Sequence, residues 1–265
     1  MTATASIDGI FLSYTDTGRG TPVVLLHGFP LDRTMWDAQV KALASRFRTI
    51  VPDQRGFGES PAPPGPLSMD RLADDVAVLL DHLRLRRAVV CGHSMGGYVA
   101  FAFARRHADR LQGLVFCDTK AVADSPEART GRAEMIELVA AKGLEPDAGR
   151  MLPRLLAPVT LQRRPEVADL VRRMILRAPP DGVRGALQGM ADRPDSTPLL
   201  PTLRCPALFV VGAQDALSPP EEAGGMCARV PNGRLVVVPD AGHLAPVESP
   251  AAVNAVLAEF LGGLA

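Results

Sequence analysis

A chain of 265 residues, 47% of them hydrophobic and 22% charged, can hold one large α/β domain or a core with one insertion. Its 29 Lys and Arg residues balance 29 Asp and Glu residues, so the formal net charge is zero at neutral pH. Nucleic acids and anionic membranes bind basic surfaces, and the balanced charge therefore argues against both as major partners.

The N-terminal segment and the cysteines indicate a compartment. Residues 1–8 contain neither a basic region nor an apolar one, so we expect no secretory signal. No uninterrupted apolar run approaches the roughly 18 residues of a membrane span. The four cysteines are widely spaced without a Cys-x-x-Cys pair, which predicts buried thiols and a cytoplasmic protein. Neither a metal nor a cofactor is predicted, because no His and Cys cluster has metal-ligand spacing and no Gly-rich phosphate loop is present.

Short β-branched runs alternate along the chain with longer segments of helical periodicity. One such segment, from Leu72 to Leu83, repeats leucine and valine on a single face, as an amphipathic helix does. Apolar strands that alternate with helices predict a mostly parallel sheet covered on both faces, and the first strands are expected to form an antiparallel edge. The predicted strands span residues 10–14, 23–27, 48–52, 88–91, 113–117, 207–211 and 234–238.

The alternation of strands and helices stops in the middle of the chain. Helical periodicity continues between residues 119 and 197, but no convincing strand is present there. Helices without intervening strands indicate an insertion that packs on the sheet. We therefore predict a helical cap of residues 119–197, inserted into a core domain formed by residues 1–118 and 198–265.

A Gly-x-Ser-x-Gly motif centred on Ser94 lies between a predicted strand and an apolar, helix-like segment. Strand, motif and helix in this order form a nucleophile elbow, in which a tight turn presents the serine hydroxyl. Gly92 and Gly96 remove Cβ atoms where the strand and the helix close on each other. The helix N-terminus behind the serine carries free N–H groups that suit a developing oxyanion. Ser94 is therefore the predicted nucleophile.

A serine hydroxyl is a poor nucleophile at neutral pH, so it needs a base, and the base needs an orienting acid. Asp215 and His243 each follow a predicted strand near the C-terminal end of the chain. In a parallel sheet both loops lie at the carboxyl edge, where the elbow must also lie. We predict Asp215 as the acid and His243 as the base. Asp118, which follows an earlier core strand, is the rival acid.

Several segments together resemble the α/β-hydrolase family over nearly the whole chain. They are His-Gly-Phe-Pro at 27–30 followed by Trp36, Asp-Gln-Arg-Gly-Phe-Gly-Glu-Ser at 53–60, and Asp-Ala-Gly-His at 240–243. The chain order of serine, aspartate and histidine also matches this family. The resemblance implies an α/β-hydrolase fold, with a mostly parallel eight-stranded sheet flanked by helices and an inserted helical cap. It also implies that the backbone N–H groups of Phe29 and Met95 form the oxyanion hole.

Other polar residues near these motifs are interpreted as structural. His27 and His93 flank the site and are expected to bond to loop backbone, while Asp53 and Arg55 are expected to hold a loop. The predicted substrate pocket contains Trp36, Leu217 and Leu244.

A serine at the elbow restricts the chemistry. Haloalkane dehalogenases and epoxide hydrolases share the fold that the chain resembles, but they place an aspartate at this position and attack alkyl carbon. Serine attacking the same carbon would form an ether that the site could not hydrolyse, so Ser94 indicates acyl transfer. We predict a carboxylic ester hydrolase that acts on a small-molecule ester or lactone through an acyl-enzyme.

Two further hypotheses stay open. Cys-Asp-Thr at 117–119, the cap, and Arg-Pro-Asp-Ser-Thr-Pro at 193–198 resemble enol-lactonase-like hydrolases, including 3-oxoadipate enol-lactonases. An enol-lactone hydrolase, or a perhydrolase, is therefore the alternative to a carboxylesterase. From a different class, some proteins with this fold are non-catalytic ligand receptors, which often lose a triad member that this chain retains. The sequence leaves the oligomeric state open.

Overall fold

The fold is built on one eight-stranded sheet. A computed structural model describes residues 2–264, in which the strands lie in the order β1-β2-β4-β3-β5-β6-β7-β8. The strands are β1 Thr2–Ile7, β2 Ile10–Thr17, β3 Pro22–Leu26, β4 Arg48–Pro52, β5 Ala88–His93, β6 Leu111–Cys117, β7 Ala207–Gly212 and β8 Gly233–Val238. The α-helices of the same range are α1 Asp37–Leu43, α2 Met69–His82, α3 Met95–Arg106, α4 Pro126–Lys142, α5 Glu145–Leu155, α6 Pro158–Arg163, α7 Pro165–Arg177, α8 Pro180–Ala191, α9 Pro220–Cys227, α10 Ala245–Glu248 and α11 Pro250–Gly262.

The sheet is mostly parallel with an antiparallel edge. The β1–β2 and β2–β4 pairs are antiparallel, and the other neighbouring pairs are parallel. The predicted fold class, the antiparallel edge and the seven predicted strands are confirmed, with end points that differ by a few residues. The sequence did not predict β1, whose residues are mostly small or polar and bury only Ala5 and Ile7. Two alternating buried residues are too few for the hydrophobic pattern to indicate a strand.

Helices bury both faces of the sheet. Along β3, Val24 and Leu26 belong to one hydrophobic cluster together with side chains of α2 and α3, while Val23 and Leu25 belong to a second cluster with side chains of α1 and α11. Alternate residues of a strand point to opposite faces, so the two clusters are the two halves of the core. Every residue of β5 and β7 is buried, which explains their continuous apolar sequences.

Five helices, α4 to α8, lie between β6 and β7 without an intervening strand, and we call them the helical insertion. Each carries a proline in its first turn, where a backbone N–H would have no helical partner. The insertion approaches the core closely, because a Cβ on Gly182 would lie 1.7 Å from the carbonyl oxygen of Gly56. The domain boundaries at 118/119 and 197/198 stay a prediction. Within residues 2–264 no helix combines the length and the apolar character needed to cross a membrane.

The loops that matter for function leave the carboxyl ends of three parallel strands. Ser94 follows β5, Asp215 follows β7, and His243 follows β8. Asp118 follows β6, which lies between β5 and β7 in the sheet. The sheet order therefore gathers all four side chains at one edge.

Candidate active site

Ser94 occupies a sharp turn between β5 and α3. Its backbone has φ 50° and ψ −112°, a conformation that L-residues rarely adopt. The flanking glycines are required by close approach: a Cβ on Gly92 would lie 2.1 Å from the carbonyl oxygen of Gly96, and a Cβ on Gly96 would lie 2.4 Å from that of Leu26. The elbow geometry inferred from the sequence is present, and it leaves Ser94 only partly buried.

The side chains of Ser94, His243 and Asp215 form one hydrogen-bonded chain. His243 Nε2 lies 2.8 Å from Ser94 Oγ, and His243 Nδ1 lies 3.0 Å and 2.9 Å from the two carboxylate oxygens of Asp215. In the neutral imidazole, Nδ1–H donates to Asp215 and Nε2 accepts from the serine hydroxyl. This arrangement can remove the serine proton as the hydroxyl attacks an electrophile.

Asp215 is held as a carboxylate. Burial would raise its pKa, but His243 beside it and hydrogen bonds from His243 and from backbone N–H groups lower the pKa overall. Those backbone donors are Leu217 at 2.8 Å and Ser218 at 3.0 Å, both to Oδ1. The loop after β7 therefore fixes the carboxylate from one side while the imidazole fixes it from the other.

Asp118, the rival acid, bonds to backbone N–H groups and not to the imidazole of His243. Its Oδ1 accepts the Gly212 N–H at 2.8 Å and its Oδ2 accepts the Ala245 N–H at 3.2 Å. The side chain thus ties the end of β7 to the loop that carries His243. Burial, and then the nearby charge of Asp215, raise the pKa of Asp118 well above its ordinary value. The surroundings thus shift the pKa values of the two carboxyl groups in opposite directions, Asp215 downward and Asp118 upward.

Two further histidines bond to loop backbone, as expected. His93 Nε2 lies 2.6 Å from the carbonyl oxygen of His243, and burial lowers the pKa of His93 to about 3, so a neutral ring donates Nε2–H to that oxygen. His27 Nδ1 lies 3.0 Å from the Gly28 carbonyl oxygen, and its Nε2 accepts the Gln54 N–H at 3.0 Å. Burial also lowers the pKa of His27. Both rings position the loops around Ser94.

The predicted oxyanion hole uses the backbone N–H groups of Met95, the next residue after Ser94, and of Phe29. Met95 is the first residue of α3, so its N–H belongs to the helix end that has no intrahelical acceptor. Phe29 lies in the loop after β3 and lines the same cavity as Ser94. A Cβ on Gly28, the residue before Phe29, would lie 3.3 Å from the Ser94 Cβ, so this loop touches the elbow directly.

A cavity of about 530 Å³ opens above Ser94 and His243. Of the predicted pocket residues, Leu217 lines it. Trp36 and Leu244 do not, and placing them there was wrong: both are fully buried in the cluster on the α1 and α11 face of the sheet. Trp36 ends a short 3-10 helix that leads into α1, so its ring fills the core below the loop.

Most of the cavity wall comes from residues that the sequence did not indicate. Tyr98 lies one helical turn after Ser94 on α3, a spacing that could have revealed it. Most of the others belong to the insertion or to the segment that leads into it, and the packing of these residues cannot be deduced from periodicity alone. Insertion residues and their neighbours on this wall are Lys120, Asp124, Glu127, Ala128, Gly131, Arg132, Met135, Met151, Arg154, Leu155, Leu187 and Met190.

The insertion side of the cavity is positively charged. Asp124 is buried and accepts from both Arg132 and Arg193, the latter at 2.7 Å. Within the side chains that the structure describes, Lys120 and Arg154 form no ion pair with a carboxylate. Glu127 is the other carboxylate on this wall. The cations therefore outnumber the carboxylates where a substrate would extend away from Ser94.

The sheet order, the elbow and the three hydrogen-bonded side chains are together typical of hydrolases with an α/β fold. The chain belongs to the α/β hydrolase fold family, whose model matches residues 21–250. The predicted family resemblance is thus confirmed.

Individual relatives within this family cover nearly the whole chain. A thermophilic esterase from Thermogutta terrifontis, solved with malate bound, is 51% identical with a TM-score of 0.96, and the match covers 100% of this chain and 99% of that chain. The enol-lactonase from Burkholderia xenovorans is 31% identical with a TM-score of 0.92, covering 98% of this chain and 100% of that chain. The 3-oxoadipate enol-lactonase 2 of Acinetobacter baylyi is 28% identical over 253 residues, 95% of this chain and 93% of that protein.

The raised pKa of Asp118 predicts how stability depends on pH. A carboxyl whose pKa is higher in the folded state stabilises the fold below its ordinary pKa of 3.8, and this contribution is lost as pH rises toward the folded-state value. Asp118→Asn removes the titration. We therefore expect the free energy of unfolding of the variant, relative to the unaltered protein, to increase between pH 4 and pH 8.

Urea unfolding at several pH values measures this difference. Asp169→Asn, at an exposed position on α7, provides the matched control and should show no such trend. A difference for Asp118→Asn that stays constant or shrinks with rising pH would mean that Asp118 is charged in the folded protein.

Proposed function

We propose that this protein is a serine hydrolase that cleaves small carboxylic esters through an acyl-enzyme on Ser94. The observation that carries the proposal is the hydrogen-bonded chain from Ser94 Oγ through His243 to Asp215 at the floor of an open cavity. Esterase and enol-lactonase relatives support the reaction type. A cytoplasmic location belongs to the same proposal, supported by four free cysteines.

The proposed mechanism has two acyl-transfer steps. Ser94 Oγ attacks the ester carbonyl carbon while His243 Nε2 takes the serine proton, and Asp215 stabilises the resulting imidazolium. The carbonyl oxygen becomes an oxyanion that accepts from the N–H groups of Phe29 and Met95. Collapse of this intermediate breaks the bond to the alcohol, which leaves with the proton from His243. Water, deprotonated by His243, then attacks the acyl-enzyme, and the acid leaves as Ser94 regains its proton.

Labelling of Ser94 tests the proposal. A fluorophosphonate should react with the hydroxyl that His243 activates and add its mass to the peptide containing Ser94. Ser94→Ala should abolish both labelling and turnover of p-nitrophenyl acetate. Intact-mass and peptide spectra measure the adduct.

Ser218→Ala is the matched control, because Ser218 lines the same cavity and its contact with Asp215 is made by its backbone N–H. This variant should still be labelled. Labelling that persists in Ser94→Ala would remove Ser94 from its role. A native protein that neither reacts nor turns over any ester would favour the non-catalytic receptor.

The geometry also predicts which aspartate supports His243. Asp215→Asn cannot hold the imidazole in the required tautomer, and by analogy with serine proteases kcat should fall by roughly 10⁴-fold. Asp118→Asn alters a group that does not contact the imidazole and keeps an acceptor for the Gly212 N–H, so its kcat should fall far less. Steady-state kinetics of both variants on one p-nitrophenyl ester provide the comparison. A larger loss for Asp118→Asn would transfer the role of acid to that residue.

One observation favours a second candidate, an enol-lactone hydrolase. The cavity cations Lys120 and Arg154 suit a substrate that carries a carboxylate away from the reacting carbonyl. An enol-lactone of 3-oxoadipate, the substrate named for the Acinetobacter baylyi relative, retains one free carboxyl group after ring closure. The mechanism at Ser94 is the same for an ester and for a lactone, because both expel an oxygen leaving group from an acyl carbon.

A pair of substrates distinguishes the two candidates. Mono-p-nitrophenyl adipate carries a remote carboxylate, whereas p-nitrophenyl hexanoate has the same chain length without it. If the cavity binds carboxylates, kcat/KM should favour the adipate ester, and Lys120→Met should reduce this preference by about tenfold, the loss of one charge-assisted hydrogen bond. Lys142→Met, at the exposed end of α4, should leave the preference unchanged. Equal kcat/KM for both esters in the unaltered protein would argue for a simple carboxylesterase.

A further inference from the structure

A buried carboxylate that the proposed mechanism does not use lies close to the loop of residues 239–244. This loop carries His243, and we call it the histidine loop. Glu248 is the last residue of α10, and only 1% of its surface is exposed. Removing a carboxylate from water is costly unless hydrogen bonds replace its hydration. One carboxylate oxygen of Glu248, Oε1, accepts the Gly242 N–H at 2.8 Å and the Leu244 N–H at 3.3 Å. These two amides are the backbone groups on either side of His243.

The second carboxylate oxygen of Glu248 bonds to the helical insertion. Oε2 accepts the Ala157 N–H at 2.8 Å and the Thr160 hydroxyl at 2.6 Å. Ala157 precedes α6 and provides no side-chain cap of its own, so Glu248 supplies the acceptor that the start of this helix lacks. Arg164, at the end of α6, donates to the backbone carbonyl of Glu248. One residue thus holds both ends of α6.

The histidine loop and the insertion also touch without any side chain between them. A Cβ on Gly242 would lie 2.6 Å from the Ala157 nitrogen and 2.9 Å from the Leu156 carbonyl carbon. Leu155, one residue earlier, lines the cavity above Ser94. The backbone next to His243 and the cavity wall are therefore joined over a few residues, and the Glu248 carboxylate bonds to both.

We propose that Glu248 is a positioning residue that aligns His243 with Ser94 and couples this alignment to the docking of α6. The inference rests on the proposed function, in which His243 is the base. Three other groups hold His243 or its loop. Asp215 accepts from the imidazole Nδ1–H, His93 donates to the His243 carbonyl oxygen, and Asp118 accepts the N–H of Ala245, two residues further on. Glu248 is the one among these groups that also bonds to the insertion.

Glu248→Gln tests the inference with a side chain of the same shape. The amide oxygen can accept from one pair of donors only. An NH₂ group turned toward the histidine loop would face two backbone N–H groups, and one turned toward the insertion would leave the Ala157 N–H without an acceptor, although it could donate to the Thr160 hydroxyl. Either orientation therefore breaks a link through Glu248. The histidine loop should shift, and a misplacement of about 1 Å costs on the order of 10²-fold in rate. We expect kcat for p-nitrophenyl acetate to fall by about this factor. The low-field proton resonance of the His243–Asp215 hydrogen bond should move or broaden.

Two companion variants make the result specific. Glu259→Gln, the same substitution in an exposed ion pair with Arg234, should change neither kcat nor the resonance. Thr160→Val removes only one donor on the insertion side, so KM should rise several-fold while kcat stays within a few-fold of the unaltered protein. Thr160→Val also keeps the inference testable if Glu248→Gln does not fold.

The outcomes separate this inference from the proposed function. Absence of Ser94 labelling in the unaltered protein would contradict the proposed function itself. If the unaltered protein is labelled and turns over ester, a Glu248→Gln variant that is less stable but retains kcat and the resonance would show that Glu248 only supports the fold. A Thr160→Val variant with unchanged KM would refute the coupling to α6.

Discussion

The close contact between the end of β5 and the start of α3 is the constraint on which the rest of the site depends. Gly92 and Gly96 allow backbone atoms to approach to distances that no side chain would tolerate, and the turn between them forces Ser94 into a positive φ. Thr119 secures the turn from outside by donating its hydroxyl to the Ser94 carbonyl oxygen at 2.8 Å. A strained backbone persists only where its surroundings fix it, and here the fixed turn places the Ser94 hydroxyl within hydrogen-bond distance of His243.

Around this fixed serine, the imidazole of His243 is positioned mainly through its backbone. His93 holds the carbonyl oxygen of His243, and Glu248 holds the N–H groups on both sides of it. Asp118 and Asp215 show how one sheet edge can carry two carboxyl groups with separate tasks. Burial raises the pKa of Asp118, which links two backbone segments, whereas the contact with His243 lowers the pKa of Asp215. Environment rather than residue type distinguishes the two aspartates.

The sequence predicted the features that are determined by residues close together in the chain, namely the strands and the turn at Ser94. Apolar runs located seven strands, and the glycines around Ser94 located the turn, because both reflect constraints between neighbours in the chain. β1 escaped prediction because it buries only two side chains, Ala5 and Ile7, and otherwise joins the sheet mainly through backbone pairing with β2. Trp36 was assigned to the pocket, but its side chain fills the core instead, because the direction of a side chain after a loop depends on how the loop packs. The charged wall formed by the insertion depends on how α4 and α5 pack, which no periodicity encodes.

The Arg193 guanidinium joins the two ends of the helical insertion at a single point. It donates to the carbonyl oxygens of Val122 and Met190 and to the carboxylate of Asp124, while it stacks on the Tyr98 ring at 4.0 Å. The insertion therefore leaves the core and returns to it at one place beside α3, while α6 is tied to the histidine loop separately through Glu248. Because this junction fixes the two ends of the insertion, substitutions on the cavity side of α4 and α5 can change which substrates fit without moving the turn that carries Ser94.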